Sequence, residues 1–275
     1  MKETIDMKHL LLTSVLALAL TPAFSAENPV FKLFPGDVTF YLSFDEENSN
    51  ADMAGGKGEP ARKIGTVSYA DGVFGGKSLR SGQLQFDAAK NLDLTLPGTV
   101  ILWVAPENWP AEKTEPKEKE PGFGAFYAHG GSYELIIGKM GGQPWGNGHM
   151  NTYVQYPKLK KHVNCIVYGA GVAKNWKNRE WRMLACTYKG GNFTNSVNGR
   201  KPVTSVLPAL MAEPTRFFRL GTTAKDSDRY RVLVDEVVIL KRALSDEEIR
   251  KLYDESIKVM RDNIAAYKGA IIEGK

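Results

Sequence analysis

The segment Arg231–Tyr253, RVLVDEVVILKRALSDEEIRKLY, decides the fold because it joins a buried strand to a helix with a clear start. Its first half, Val232–Leu240, is apolar on both faces except at Asp235 and Glu236, and it is too short for most helices. A short run that is apolar on both faces is typical of a strand with neighbours above and below it. We therefore expect a buried strand here.

The second half of the segment predicts a helix that begins at Asp246 and runs to about Tyr267. Ser245 can cap the helix, and Glu248, three residues later, can reach back to the cap. Leu244 and Ile249 stand at the two positions of a hydrophobic staple. The apolar residues of the helix fall near one stripe, which we expect to lie against the rest of the protein. They are Ile249, Leu252, Tyr253, Ile257, Met260, Ile264 and Tyr267.

Composition favours a single globular domain without a nucleic-acid partner. The chain has 275 residues, of which 43% are hydrophobic, and a β-sandwich of this length is normal for one domain. The net charge is +5, but the basic residues are scattered among 31 acidic ones. The nearest approach to a basic cluster is Lys158, Lys160, Lys161 and His162, and such clusters are usually solvated surface.

The N-terminus has the pattern of a secretory signal peptide. Lys2 and Lys8 supply a positive region, residues 10–20 form an apolar run, and residues 21–26 form a small-residue cleavage region. The apolar run is too short to span a bilayer. We divide the chain into a signal peptide at 1–26, a domain at 27–245, and a C-terminal helix and tail at 246–275. The predicted location is secreted or periplasmic.

The middle of the chain predicts an all-β fold. Short apolar or alternating runs are separated by Gly and Asn turns, which is typical of a sandwich or barrel. Asn198-Gly199 is a strong signal for a two-residue hairpin turn. Residues 111–121, AEKTEPKEKEP, have nothing to bury and predict a mobile insertion between strands. The expected strands are 38–44, 84–86, 99–104, 133–137, 151–156, 163–168, 181–188, 193–197, 217–220 and 232–240.

The two cysteines, Cys165 and Cys186, lie in two of these apolar runs. Export permits a disulfide, and the two cysteines can bridge if their strands are neighbours. The alternative is two buried free thiols, which pack as small hydrophobic side chains. Spacing alone does not decide between them, because a bridge requires matched geometry.

Taken together, the motifs resemble the LamG-like (laminin G-like, concanavalin A-like) jelly-roll domains of bacterial extracellular proteins. The resemblance implies two stacked antiparallel sheets, with the first and last strands side by side. It implies a binding or adhesion module, often for glycans and often with calcium. The resemblance is carried, in order, by YLSFD at 41–45, GVFGGKSL at 72–79, the run 181–188 with VNG at 197–199, FRLG at 218–221, and VDEV at 234–237 continued by ALS at 243–245 and by Ile249 and Tyr253.

Two carboxylates are candidate calcium ligands. Asp45 ends the first strand and Asp235 lies inside the last one, and the fold should bring these strands together. A buried carboxylate needs a partner, and calcium takes six to eight oxygen ligands. The alternative is that Asp235 accepts hydrogen bonds from backbone N–H groups or pairs with an arginine, while Asp45 starts a turn.

The Gly-rich loop at 141–149 is the candidate ligand site. A sugar site needs a flat apolar surface for the ring and fixed polar groups for the hydroxyls, and the glycines let the backbone come close. The alternative is a structural loop whose tryptophan packs on the edge of the sandwich. The proposed ligand-binding residues are Trp145, Asn147, His149, Tyr153 and Tyr156.

The sequence does not predict an enzyme. The E-x-D-x-x-E pattern of glycanases with this fold is absent, and so is the Gln-x-His pattern of one lyase group. Asp235 and Glu236 are adjacent, so in a regular strand they point to opposite faces. We expect a non-catalytic module that binds a glycan or a glycosylated surface. The alternatives are a structural or assembly protein of the cell envelope that binds another envelope protein, and a glycan hydrolase or lyase.

Overall fold

The structure is a computed structural model that describes residues 28–109, 122–141, 148–168, 176–222 and 230–262. Besides two single-turn 3-10 helices, at Asp45–Glu47 and Pro157–Leu159, the described part contains fourteen strands and two α-helices. In chain order they are α1 Pro29–Leu33, β1 Val38–Leu42, β2 Met53–Ala54, β3 Arg62–Asp71, β4 Lys77–Asp87, β5 Gly98–Glu107, β6 Phe123–His129, β7 Glu134–Lys139, β8 Met150–Tyr156, β9 Lys161–Val167, β10 Arg182–Lys189, β11 Asn192–Val197, β12 Val203–Val206, β13 Phe217–Leu220, β14 Arg231–Leu240 and α2 Asp246–Asp262.

The strands form two antiparallel sheets stacked as a sandwich. The first sheet has the order β12-β11-β10-β5-β14-β1-β2, and the second has the order β3-β4-β13-β6-β7-β8-β9. The sheets are joined where Val234 of β14 pairs with Leu79 of β4. The first and last strands are neighbours, since Phe40 of β1 is opposite Ile239 of β14. The expected two-sheet, all-β architecture is confirmed.

The main core lies between the two sheets and is rich in phenylalanine. Phe40 of the first sheet contacts Phe86 and Phe218 of the second, with both ring-centroid distances at 5.0 Å. All three rings are fully buried. Burying a side chain of this size contributes about 1.5–3 kcal/mol, so the alternating strands of both sheets are held face to face mainly by this core.

A second core lies between the outer face of the first sheet and the two helices. Trp103 of β5 stacks on Tyr253 of α2 with the ring centroids 6.1 Å apart. The predicted capping box is present, since Ser245 N donates to Glu248 Oε2 at 2.8 Å and Glu248 N donates to Ser245 Oγ at 3.3 Å. The described apolar stripe of α2 is therefore buried against the sandwich. Ile264 and Tyr267 lie outside the described residues.

Most predicted strands occur in the structure, with small differences at their ends. The run 84–86 is part of the much longer strand β4, and the strands β2, β3, β6 and β12 were not predicted. The predicted turn is confirmed, because Asn198 and Gly199 have φ of 53° and 63° between β11 and β12. The predicted signal peptide and the predicted insertion at 111–121 lie outside the described residues. No described helix has the length and hydropathy needed to cross a membrane.

The possible disulfide is not formed, because Cys165 and Cys186 are free, buried thiols. Cys165 lies on β9 of the second sheet, whereas Cys186 lies on β10, which pairs with β5 and β11 of the first sheet. The thiol of Cys165 donates instead to the backbone oxygen of Val203 at 3.0 Å. The structure thus has the alternative of two thiols packed in the interior.

Candidate functional site

A β-bulge in β14 determines where the two acidic residues of that strand point. The register of β14 on β5 shifts between Asp235 and Val238, and Glu236 has a φ of +48°. Asp235 accepts from Val73 N at 2.7 Å and from Glu236 N at 2.9 Å. Glu236 Oε2 accepts from Tyr41 OH at 2.9 Å, on the helix-covered side of the sheet. The strand is not regular at these two residues, so the alternation expected of a regular strand does not apply to them.

Electrostatics around this bulge are unfavourable to ionised carboxylates. Burial, then the charge of Glu236, raises the pKa of Asp235, and Asp45 also contributes to this rise. Burial likewise raises the pKa of Glu236, with Asp45 and Asp52 adding to it, while hydrogen bonds from Tyr41 and Asn28 lower it. The fold thus brings Asp45 within electrostatic range of Asp235, as the sequence predicted.

The carboxylates of Asp45 and Asp235 accept hydrogen bonds from backbone N–H groups. Both carboxylate oxygens of Asp235 already accept backbone N–H groups, and Asp45 Oδ1 accepts from Lys77 N at 3.1 Å. Among the described residues, no group of three His, Cys, Asp or Glu side chains is arranged to hold a metal ion. The geometry matches the alternative of backbone-satisfied carboxylates. Calcium at Asp45 and Asp235 stays a prediction, which metal analysis of the purified protein would test.

The outer face of the second sheet carries the candidate ligand site. Alternate residues of each strand point outward, and cross-strand register aligns them into two rows of side chains. The upper row consists of Asn164, Tyr153, Ile136, Tyr127, Arg219, Gln85 and Arg62, in the order β9 to β3. The lower row consists of His162, Gln155, Glu134, His129, Phe217 and Asp87, in the order β9 to β4.

A continuous chain of contacts links seven of these side chains, and we call it the polar strip. Its members, from β8 to β4, are Tyr153, Gln155, Glu134, His129, Phe217, Arg219 and Gln85. The half that lies on β8, β7 and β6 is held by polar contacts. Tyr153 OH donates to Gln155 Oε1 at 3.0 Å, and Gln155 Nε2 donates to Glu134 Oε2. His129 Nε2 lies 3.3 Å from Glu134 Oε1.

The other half of the polar strip is held by stacking. The His129 ring stacks on Phe217 with the centroids 4.5 Å apart. The guanidinium of Arg219 lies 4.9 Å from the centroid of the same Phe217 ring, and its Nε donates to Gln85 Oε1 at 2.9 Å. Side chains fixed by such mutual contacts lose little conformational freedom when a ligand binds.

The imidazole of His129 is mostly neutral at neutral pH. Burial lowers its pKa from 6.5; Glu134 opposes this shift and the positive charge of Arg219 adds to it. A neutral imidazole keeps one donor and one acceptor nitrogen. The side chains of His129 and Glu134 are 23% and 26% exposed, so both are accessible from solvent. The polar strip therefore combines aromatic surfaces with fixed donors and acceptors.

The end of the Tyr127 side chain lies over Gly124, which has no side chain of its own. A Cβ added at Gly124 would be only 2.4 Å from Cζ and the hydroxyl of Tyr127, and 2.8 Å from Ile136 Cγ2. The ring thus occupies the space that any other residue at 124 would need. Its partly exposed surface lies in the upper row, directly opposite Arg219.

Asn151 adds a polar group at the edge of this face nearest the predicted ligand loop. It lies on β8 two residues before Tyr153, and its Nδ2 donates to Asn164 Oδ1 at 2.8 Å. Its Oδ1 is buried, and no described residue donates to it. An unsatisfied buried acceptor costs about 1–3 kcal/mol.

The structure brings together only some of the predicted ligand residues. Tyr153 is on the outward face of β8, and His149, just before that strand, contacts the exposed ring of Tyr168 at 4.8 Å. Tyr156 is not part of this face, because three residues along a strand reverse the direction of the side chain. It is buried in the main core, and its hydroxyl donates to Ala209 O at 2.6 Å. Trp145 and Asn147 lie outside the described residues.

Sequence reasoning missed most of the polar strip. His129 of the polar strip and Tyr127 of the upper row lie on β6, which was not predicted as a strand. Phe217 and Arg219 lie on a predicted strand, and the alternation of FFRL could have marked them as its outward residues. What no pattern could supply is the register that sets residues from five strands side by side.

The family assignment follows from the sequence and agrees with this fold. The profile described as the Concanavalin A-like lectin/glucanases superfamily matches residues 76–250, more than half of the chain. The chain belongs to this superfamily. No curated protein sequence is significantly similar to it.

Solved structures of the same fold include toxin and glycosidase domains. The binding domain of Paraclostridial Mosquitocidal Protein 1 has a TM-score of 0.60 and 14% identity, and the match covers 79% of this chain and 52% of that one. The botulinum neurotoxin serotype D ligand binding domain, solved with N-acetylneuraminic acid, has a TM-score of 0.58 and 13% identity, covering 84% and 52%. The chain thus spans about half the length of these toxin domains.

The third similar structure is a single domain of comparable size. Domain 4 of AbnA, an extracellular arabinanase from Geobacillus stearothermophilus, was solved with arabinotriose. It has a TM-score of 0.56 and 17% identity, and the match covers 79% of this chain and 99% of that one. At such identities the likeness shows the fold.

Proposed function

We propose that this protein is a non-catalytic carbohydrate-binding module whose ligand lies across the outward face of the second sheet. The observation that carries the proposal is the polar strip, because it offers aromatic surfaces and fixed polar groups over five adjacent strands. Aromatic rings provide large rigid contact areas, and amides such as Gln155 donate and accept at once, as vicinal hydroxyls require. The similar domains solved with N-acetylneuraminic acid and arabinotriose support a sugar ligand.

The absence of catalysis is part of the proposal. The acidic residues of the lower row are Glu134 on β7 and Asp87 on β4, with β6 and β13 between them. Three interstrand spacings separate them by about 14 Å. Glycosidases place their two carboxylates about 5–9.5 Å apart, so this pair is too far apart to cleave a glycosidic bond. Release of reducing sugar or unsaturated product from common polysaccharides by the purified protein would refute this part.

We also propose export, on the basis of the signal-like residues 1–26. Export would bring the module to extracellular glycans, so the two proposals agree. The N-terminal sequence of the native protein tests export: a mature start between Ala23 and Asn28 is expected, and an intact Met1 or Met7 would refute it.

Binding to a glycan array, followed by titration of the best ligand, tests the carbohydrate proposal. We expect a dissociation constant between about 10 μM and about 1 mM, as is usual for shallow sites with about −7 to −4 kcal/mol. Tyr153→Ala should abolish measurable binding and leave the melting temperature nearly unchanged. Trp145→Ala should do the same if the loop at 141–149 completes the site. Val206→Ala, a truncation at an exposed residue of the first sheet, is the control and should bind like the parent.

A further inference from the structure

Two arginines lie at one end of the upper row and have no acidic partner among the described residues. Arg219 of β13 and Arg62 of β3 are both directly opposite Gln85 of β4, one on each side. Two interstrand spacings place their Cα atoms about 10 Å apart. The nearest acidic residues of the rows are engaged elsewhere: Asp87 accepts from Ala89 N at 2.9 Å, and Glu134 contacts Gln155 and His129.

Arg219 is held in a fixed position with part of its guanidinium still available. Its Nε is bound to Gln85 and its plane lies over the Phe217 ring. Its two Nη groups have no hydrogen-bond partner among the residues that the structure describes. A guanidinium with two donors in a rigid plane matches the two oxygens of a carboxylate, and it is more weakly hydrated than a lysine ammonium.

The residue beside Arg219 supplies the surface for a sugar ring. Tyr127 is directly opposite Arg219 on β6, about 5 Å away along the row, and the end of its side chain lies over Gly124. A pyranose ring placed on Tyr127 can extend a substituent of one or two bonds toward the Nη groups. A carboxylate attached directly to the ring has this reach.

We infer that the outward face binds an acidic glycan, with the ring carboxylate of a uronic acid or a related sugar on Arg219 and its ring on Tyr127. This inference rests on the proposed function, since it specifies the class of carbohydrate. Arg62, exposed at the end of the row, adds a second positive charge that attracts anionic chains. The upper row is therefore cationic and aromatic at this end and neutral toward β9.

The test compares acidic oligosaccharides with the same oligosaccharides after reduction or methyl esterification of their carboxylates. The probes are uronic-acid oligomers of several linkages on an array, followed by calorimetric titration of the tightest binder. We expect at least about tenfold tighter binding of the acidic form at about 50 mM salt and a smaller preference at about 500 mM, because salt screens the ion pair. A sulfated neutral glycan serves as a second anion and should bind more weakly than the carboxylate.

Three variants make the test specific. Arg219→Gln should lower the affinity for the acidic form about tenfold or more beyond any loss of affinity for the neutral form, so that the preference for the acidic form disappears. Arg219→Lys keeps the charge but loses the planar pair of donors, so it should restore only part of the loss. Arg216→Gln is the matched control, because Arg216 is 70% exposed just before β13 and is not in either row. Melting temperatures verify that each variant is folded.

The outcomes separate the two proposals. Equal binding of acidic and neutral forms, or no effect of Arg219→Gln on the acidic form, overturns the inference while a carbohydrate module remains. Binding of no glycan at all, or glycan binding insensitive to both Tyr127→Ala and Tyr153→Ala, overturns the site as well.

Discussion

Gly124 is the residue on which the geometry of the candidate site depends most directly. With any side chain at 124, the Tyr127 ring would have to leave its place on the strand, because its Cζ and hydroxyl lie 2.4 Å from the position of a Cβ. These atoms are the far end of a side chain that can rotate outward. The substitution should therefore lower the affinity of the site for its ligand and leave the stability of the fold nearly unchanged.

We expect Gly124→Ala to weaken glycan binding about tenfold or more. The unfolding free energy should change by less than about 1 kcal/mol, since the clashes are with two side chains, Tyr127 and Ile136, that can rotate, and not with the backbone. Titration and thermal melting measure the two effects. Gly138→Ala is the contrasting variant, because its Cβ would be 2.0 Å from the backbone oxygen of Phe123, so it should lower the melting temperature clearly. An unaltered affinity in Gly124→Ala would show that Tyr127 is not a ligand contact.

Glu236 is the residue at which pH should act on stability. Its folded-state pKa is raised above the ordinary 4.5 and that of Asp235 above 3.8, so the protonated forms favour the fold. The contribution of these two groups to the free energy of unfolding is then greatest at pH below the ordinary pKa values. It is lost as pH rises through the raised pKa values of the folded state. Glu236→Gln removes one titrating carboxylate and its electrostatic repulsion of the Asp235 carboxylate. The amide oxygen of the glutamine can still accept hydrogen bonds from Tyr41 and Asn28.

We therefore expect Glu236→Gln to melt higher than the parent near neutral pH and to show a flatter decline between about pH 5 and about pH 8. Melting curves across this range, in chelator, measure the difference. A parent protein that becomes more stable as pH rises would contradict the account. If the parent protein becomes more stable with rising pH only when calcium is added, the result would instead support a metal at Asp45 and Asp235, since a metal needs ionised carboxylates.

At the scale of elements, the helix α2 shows how far local sequence determines local structure. Its first turn was predicted from Ser245 and Glu248, and both reciprocal hydrogen bonds are present. Glu248 also forms two hydrogen bonds with Arg242, at 2.8 and 3.0 Å, which hold the turn before the helix. Such signals act within a few residues and are therefore visible in sequence.

We expect Ser245→Ala to cost about 1 kcal/mol of unfolding free energy, the usual effect of losing an N-cap. For a domain of this size that corresponds to a fall of about 2–4 °C in the melting temperature. Chemical denaturation measures the loss. Lys251→Ala, at an exposed position of the same helix, is the control and should change stability by less than about 0.5 kcal/mol. Equal losses in both variants would mean that the cap does not contribute.

The strands show where such prediction stops. β14 and β5 were predicted from their apolar runs, whereas β6 was not, because Gly124, Ala125 and Ala128 have low strand propensity. β6 forms because it fits between β7 and β13 in the sheet. Its two outward residues, Tyr127 and His129, were therefore missed although they lie near the centre of the site.

At the scale of the whole molecule, the two outer faces of the sandwich have different roles. The first sheet is covered by α1 and α2, so the described apolar stripe of the C-terminal helix is already buried and is not available to an assembly partner. The second sheet presents the polar strip. The fold was predictable because its motifs are local and ordered along the chain. The site was predictable only at Tyr153 and His149, because the remaining residues are brought together by strand register.

The most direct test of the central claim is to map the bound glycan by NMR. Chemical shifts of the labelled protein are compared with and without the oligosaccharide that binds best. The account predicts that the perturbed residues lie on the outward positions of β4, β13, β6, β7 and β8, with Tyr127, Tyr153 and Arg219 among them. Perturbations confined to the helix-covered side of the first sheet, or none at saturating ligand, would contradict it.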